Sequence, residues 1–294
     1  MISKARRFRE LFERPGLIIR SCAYDALSAI LIERAGFECV GTTGYGISAS
    51  TIGQPDIGLL SFGGMFDQVR HIINAVNIPV DVDADTGYGN AQNVYWTVLS
   101  YARIGAASVR IEDQQWPKRC GHMAGKHIIP ADEMVEKIRA ARKAADEYNP
   151  DLMIGARTDA RSIEGFDGTI ARCEAYADAG ADYVYVECPA DYAEVERLVK
   201  GLKVPLAFNI IPGGRTPIFD IKTLSDMGVK FLSIPMVCLY PATLAMMKSL
   251  EALRAGDLKK VGEMGVSWAT FNEIVGIGKW NKLESDFIGK DAPK

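Results

Sequence analysis

Eight alternations of short apolar runs with longer amphipathic stretches restrict this chain more than any other feature does. "LIIRS" precedes "DALSAILIERAG", "FECVGTT" precedes "GGMFDQVRHIINAV", "VDVDADT" precedes "NAQNVYWTVLSYARIG", and "SVRIED" precedes "ADEMVEKIRAARKAADEY". The second half repeats the pattern with "MIGART", "YVYVEC", "PLAFNII" and "FLSIPM", each followed by a helical stretch. Period-two or wholly apolar runs of this length read as buried strands, and the 3.6-period stretches between them read as helices. Several helices run into glycine, at Gly36, Gly105, Gly180 and Gly228, the expected left-handed stop before a returning strand. Eight such units in 294 residues fit a (β/α)8 TIM barrel. The barrel is expected as a single domain over 1–294, with an N-terminal helix at 1–14 and a C-terminal helical segment at 240–294. A doubly wound open sheet would need a glycine fingerprint after an early strand. "TTGYGIS" lacks the G-x-G-x-x-G spacing and is read as a turn with no long helix directly after it.

Composition narrows the function classes. A net charge of -3 with no long basic run gives no footprint for nucleic acid or an anionic membrane. The charged start "MISKARRFRELFERPG" lacks the apolar centre of a secretory signal, and no later run reaches the length of a membrane span, so a cytoplasmic protein acting on small molecules is expected. Six scattered cysteines form neither a disulfide framework nor paired metal knuckles. Five sit in apolar or helical contexts and are read as buried packing. Cys120 alone lies in a polar loop.

In such a barrel the site forms at the C-terminal ends of the strands. Read in order, these ends offer Thr43 and Gly44, Asp83 and Asp85, Glu112 and Asp113, Arg157 and Asp159, Glu187, Asn209, and Pro235. Asp83 and Asp85, two apart, face one side, and Glu112 ends the next strand. Three converging carboxylates repel unless a hard cation joins them, and a set of oxygen donors alone points to Mg2+ or Mn2+. Arg157 is a fork donor for a carboxylate, with pairing to a neighbouring Glu as its plainer role, while Asn209 and the turn "GTTGYG" supply neutral donors. A dianionic substrate follows.

The loop "EDQQWPKRCGHMAGK" puts a thiol among cations. Lys118 and Arg119 should favour the Cys120 thiolate or hold an anion, and His122 should bond substrate or tune the thiol.

"GQPDIG", "DVDADTGYG", "EDQQWPKRCGH", "GARTDA", "VEC", "FNIIPGGRTP" and "LYP", in this order, closely resemble the isocitrate lyase / phosphoenolpyruvate mutase superfamily over nearly the whole chain. The resemblance implies a Mg2+-dependent barrel acting on oxo- or hydroxy-carboxylates, assembled as a homotetramer that exchanges its last barrel helix between subunits. It implies that Asp83, Asp85 and Glu112 are metal-site carboxylates with Asp56 nearby. Thr43, Gly44 and Tyr45 would hold the oxo-acid carboxylate, and Arg157, Glu187 and Asn209 would contact substrate further on. "PKRCGH" would be a mobile gate and Cys120 its acid/base.

Within the superfamily, mutase and hydrolase members for phosphonates lack the gate cysteine, so Cys120 favours a carbon-carbon lyase. The chain is too short for isocitrate lyases proper. "HMAGK" and "PGGRTP" replace motifs common in methylisocitrate lyases, so the chain looks more like the short 2,3-dimethylmalate lyase and oxaloacetate-cleaving members. The implied reaction is retro-aldol cleavage of a 2-alkylmalate-type diacid to pyruvate and a carboxylate. Hydrolysis or decarboxylation of oxaloacetate is the alternative, and a catalytically silent metabolite-binding barrel the rival from another class.

Overall fold

The short apolar runs form eight strands: β1 (Ile18–Ala23), β2 (Val40–Thr42), β3 (Val80–Asp83), β4 (Ser108–Glu112), β5 (Met153–Thr158), β6 (Tyr183–Val186), β7 (Leu206–Asn209) and β8 (Phe231–Ile234). In the computed structural model, which describes residues 2–288, they pair in sequence order into a closed parallel barrel. Closure is made by β8 on β1, Ile18 opposite Phe231 through Ser21 opposite Ile234. Closing the sheet leaves no edge strand to template aggregation. The expected (β/α)8 barrel is therefore observed.

The helices bury the stripe their periodicity announced. Helix Ala131–Tyr148 turns Met134, Ile138, Ala141 and Ala145 inward and carries Asp132 and Glu133 in its first turn, where carboxylates suit the helix dipole. Helix Ala26–Arg34 opens on a capping box between Asp25 and Ser28. The N-terminal helix spans Lys4–Glu13 and closes the strand N-terminal end of the barrel. Its Phe8 meets Phe231 edge-on at 5.7 Å, and its Phe12 lies 5.3 Å from Tyr183.

Above that plug the barrel interior is polar. Asp81 takes Arg110 Nη1 at 2.6 Å and the Tyr183 hydroxyl at 2.8 Å, and also pairs with Arg20. Arg20 is fully buried, donates to Ser233 Oγ at 2.9 Å and lies over the Phe231 ring. Burial works against the Asp81 carboxylate, but the two guanidiniums hold it below its ordinary range.

The structure departs from the expected turn at "TTGYGIS". Thr43 caps a nine-residue helix, Gly44–Ile52, by accepting from the Gly46 amide. Two glycines make poor helix formers, but Gly46 stands where a side chain has no room, since a Cβ there would come within 2.7 Å of Tyr24 Cβ, and Gly44 stands against the charged ends of Asp85 and Lys118. The chain divides into two compact units, Met1–Cys238 and Leu239–Lys294. The second holds helices Leu239–Arg254, Leu258–Glu263, Trp268–Ile274 and Ile277–Ile288. Residues 289–294 of the expected C-terminal segment, and residue 1 of the expected N-terminal helix, lie outside the described residues. Among the described residues, no helix is long and apolar enough to cross a membrane.

Candidate active site

The strand ends bring the acidic residues to one rim. Asp83 closes β3 and Glu112 closes β4, and the backbone ties them together: the Glu112 amide donates to the Asp85 carbonyl at 2.8 Å. Asp85 sits at φ 48°, a left-handed conformation that Asp accepts better than most side-chain-bearing residues. Its Oδ2 accepts from the Tyr88 hydroxyl at 3.0 Å.

Lys118 and Arg119 do not flank the thiol as the sequence suggested. Lys118 Nζ lies 2.6 Å from Asp56 Oδ1 and 2.7 Å from Asp85 Oδ1, so its charge is spent on the carboxylates. Arg119 is exposed, because Gln114 clamps its backbone from both sides, accepting from its amide at 2.9 Å and donating to its carbonyl at 2.8 Å. The expected thiolate is overturned: burial pushes the Cys120 thiol up to about 11. A shift in this direction keeps the proton on the thiol at neutral pH. The Cys120 amide donates to the Asp56 carbonyl at 3.1 Å.

The donor set on this rim suits a hard cation. Glu112 Oε1 is buried with no hydrogen-bond partner, and Asp85 Oδ1 has the Lys118 ammonium as its contact. Burial pushes Glu112 well above its ordinary range and raises Asp85, the Asp83 and Asp56 charges adding to the effect. Asp83 is held low against burial by Arg110 and Lys118. Each of these carboxylates faces a lysine or arginine, Asp56 and Asp85 on Lys118, Asp83 on Arg110 and Glu112 on Arg157, and Glu112 Oε1 is left without a partner, with oxygen as the donor throughout. Gly44 leaves space beside them, since a Cβ there would sit 3.2 Å from Asp85 Oδ1.

Across the mouth, Arg157 meets three carboxylates: Glu112 at 3.3 Å, Asp159 at 3.0 Å and Glu187 at 3.1 Å. Its fork is thus engaged within the protein, the plainer of its two expected roles. Asn209 donates to both Glu187 oxygens and contacts His122 Nε2 through Oδ1 at 2.9 Å. Thr43 and Gly44 are buried and Tyr45 half-buried at the start of their helix.

The loop after β4 lies over this mouth. His122 Nε2 also reaches Glu187 Oε1 at 3.0 Å, and the Arg215 amide donates to Nδ1 at 2.8 Å. Burial opposes a charged His122, but Cys188 and Glu187 outweigh it and push the imidazole up to about 10. The Arg215 amide at Nδ1 works against that protonation, and this hydrogen-bond geometry fixes the ring proton on Nε2. Lys126 Nζ reaches back to the Gly121 carbonyl at 2.5 Å and to Asp159 Oδ1 at 2.6 Å.

Residues 8–254 match the family described as phosphoenolpyruvate phosphomutase. The chain is also 39% identical to 2,3-dimethylmalate lyase of Eubacterium barkeri, over 97% of this chain and 99% of that protein. The chain belongs to the phosphoenolpyruvate mutase/isocitrate lyase superfamily. A superfamily relative, 2-methylisocitrate lyase of Aeropyrum pernix, is 34% identical over 96% of this chain and 94% of its own length. A solved structure of 2,3-dimethylmalate lyase superposes with a TM-score of 0.90 at 33% identity, covering 99% of this chain and 97% of that one. Oxaloacetate acetylhydrolase bound to 3,3-difluorooxalacetate gives 0.91 at 31% identity, covering 99% of each.

Sequence reasoning missed three residues of the superfamily fold's mouth here: Gly121, Lys126 and Cys188. Cys188 was assigned to buried packing, but it is half-buried beside His122. The signal available was "VEC" itself, which puts the cysteine next to a strand-end glutamate.

Proposed function

We propose that the chain is a divalent-cation-dependent carbon-carbon lyase that cleaves a 2-alkylmalate-type 2-hydroxy diacid, such as 2,3-dimethylmalate or a 2-methylisocitrate-like compound, to pyruvate and a carboxylate. The observation that carries this reading is geometric: Cys120, whose amide donates to the Asp56 carbonyl at 3.1 Å, is tied to a rim that holds the buried carboxylates Asp56, Asp85 and Glu112. Mg2+ or Mn2+, held by Asp83, Asp85 and Glu112 with Asp56 beside them, would polarise the 2-hydroxy group and its neighbouring carboxylate. The hydroxyl proton passes to a rim carboxylate, and the Cα–Cβ electron pair moves into the departing fragment's own carboxylate. Cys120 then delivers its proton to that carbon, and in the reverse direction takes it back. Thr43, Gly44 and Tyr45 receive the oxo-acid carboxylate at the start of their helix, where backbone N–H groups point outward. Glu187, Asn209 and Arg157 set the far side of the site, and His122 seats the gate on them, excluding water while the carbanion exists. Pro235 and Met236, buried just past β8, add apolar surface without a side-chain donor, which suits an alkyl substituent.

The likeness to oxaloacetate acetylhydrolase supports a second reading on the same rim: addition of water to a ketone, with release of oxalate and acetate. The two separate on product. With Mg2+, 2,3-dimethylmalate, 2-methylisocitrate, citramalate and oxaloacetate are each supplied, and pyruvate and oxalate are assayed in parallel. Pyruvate from an alkylmalate, reduced about 10²–10⁴-fold in Cys120→Ser and abolished by chelation until Mg2+ is returned, supports the lyase. Oxalate from oxaloacetate moves the protein to the hydrolase, and no product from any diacid removes both readings.

A further inference from the structure

Cys188 takes no part in that reaction, yet it lies against the residues on which the gate rests. Its Sγ is 3.5 Å from Glu187 Oε1 and 3.9 Å from His122 Nε2, and those two atoms are 3.0 Å apart. Among the described residues, this is the one group of three His, Cys or carboxylate side chains whose ligand atoms all lie within 4.8 Å of one another. The backbone of Cys188 is held at φ 55°, a left-handed conformation unfavourable for a side-chain-bearing residue, so the surrounding fold fixes it at a cost. Edges of 3.0, 3.5 and 3.9 Å resemble one face of a zinc tetrahedron. Zinc bonds of roughly 2.0–2.3 Å to nitrogen, oxygen and sulfur place ligand atoms about 3.3–3.6 Å apart.

We propose that His122, Glu187 and Cys188 form a second metal site, for zinc or a comparably soft divalent cation, separate from the oxygen-only rim, and that filling it staples the gate shut. Thiolate and imidazole select against Mg2+, so the two sites divide the metals by ligand softness. A cavity of about 210 Å³ opens beside the group, bordered by Gly121, Lys126, Arg161 and Arg215. It gives a fourth ligand, water or a small anion, access to the group. On binding, the Cys188 S–H proton leaves to solvent and the imidazole proton moves from Nε2 to Nδ1. Nδ1 then gives up the Arg215 amide, and Asn209 Oδ1 gives up His122. Glu187 keeps Oε2 on Arg157, 3.1 Å away. Because His122 comes from the loop after β4 and the other two ligands follow β6, the metal crosslinks the gate to the barrel. Binding is independent of the lyase reading; arrest of turnover rests on it.

The test uses the full chain with Mg2+ saturating, titrated with Co2+ and then with Zn2+ against a chromogenic chelator. One equivalent of Co2+ is expected to give a thiolate-to-cobalt charge-transfer band that Zn2+ displaces. Cys188→Ala and Cys188→Ser should both lose the band, and weaken zinc binding by more than the roughly 10–100-fold that removing an outer-shell partner costs. Cys120→Ser should keep it. Absence of the band, its survival in both Cys188 variants, or its loss only in Cys120→Ser overturns the site. Cys188→Ala should escape inhibition by zinc, its turnover with zinc compared with its own rate on Mg2+ alone. Zinc bound through Cys188 without slower turnover overturns the staple. If no diacid is turned over by any version, the lyase reading fails while the cobalt band still decides the site.

Discussion

Gly121 is where the gate comes nearest to the wall it closes on. A Cβ at this position would collide with Arg157 Nη2 and the Glu187 carboxyl carbon, two groups paired with each other at 3.1 Å. Neither can retreat without opening the buried ion pair between them. Gly121→Ala should therefore hold the gate off its seat and lower kcat/KM by about a hundredfold, the scale of loss expected when reacting groups are displaced by an ångström. Unfolding by urea should change little; a variant with normal turnover would refute the close approach. Cys120 offers a second test at this scale. Burial raises its thiol to about 11 from an ordinary 9.0, and a raised pKa means less thiolate at every pH below it. Peptide-mapped alkylation of Cys120 should be slow at pH 7.5 and keep rising past pH 9 towards 11. A plateau near 9 would mean that burial does not raise the thiol, and one below 9 that the loop's cations set it.

The gate works as an element because its ends and middle are tied separately. At its neck the Gln115 amide donates to the His127 carbonyl at 2.8 Å, and Gln114 bridges Ile128. Further in, Lys126 carries the loop's load onto Asp159, which in turn orients Arg157. Lys126→Met keeps the length of the side chain and removes the charge. It should free the loop, speed Cys120 alkylation at pH 7.5 by tenfold or more, and raise KM more than it lowers kcat; unchanged alkylation would show that Lys126 holds nothing. None of this was visible in "HMAGK", since a lysine's partner some thirty residues away has no local signature. The strands and helices were legible because burial repeats with a period of two or 3.6. The helix at Gly44 was not, because its glycines answer to tertiary crowding and oppose local propensity. The rim carboxylates were legible from strand-end position. The direction of the Cys120 shift was not, since the sequence displays neighbouring charge and hides burial.

For the molecule as a whole, the barrel core is saturated while the C-terminal unit is left open. Asp81 pairs with both Arg20 and Arg110 inside the barrel, and Arg110 also reaches Asp83 at 3.5 Å. Asp81→Ala should destabilise the fold by about 3–5 kcal/mol in urea unfolding, because the buried Arg20 guanidinium loses its counterion and Arg110 keeps only the longer contact to Asp83. Among the described residues of the unit Leu239–Lys294, several large apolar side chains are exposed: Trp268 is 84% exposed, Leu250 65%, Met247 63% and Trp280 59%. Large apolar side chains exposed in this number on one helical unit call for a partner. The partner that membership of this superfamily suggests is another copy of the chain, four in all, with the helix after β8 exchanged between subunits. Sedimentation should then give a tetramer at micromolar concentration, with a melting temperature that rises with protein concentration, since association adds to the stability of the folded state by mass action. The double variant Trp268→Glu/Trp280→Glu places two charges in that surface. It should dissociate the assembly while the far-ultraviolet circular dichroism of the barrel persists. A monomer at every concentration, with a melting temperature that neither dilution nor the two glutamates alter, would leave the exposed face without a second copy to cover it.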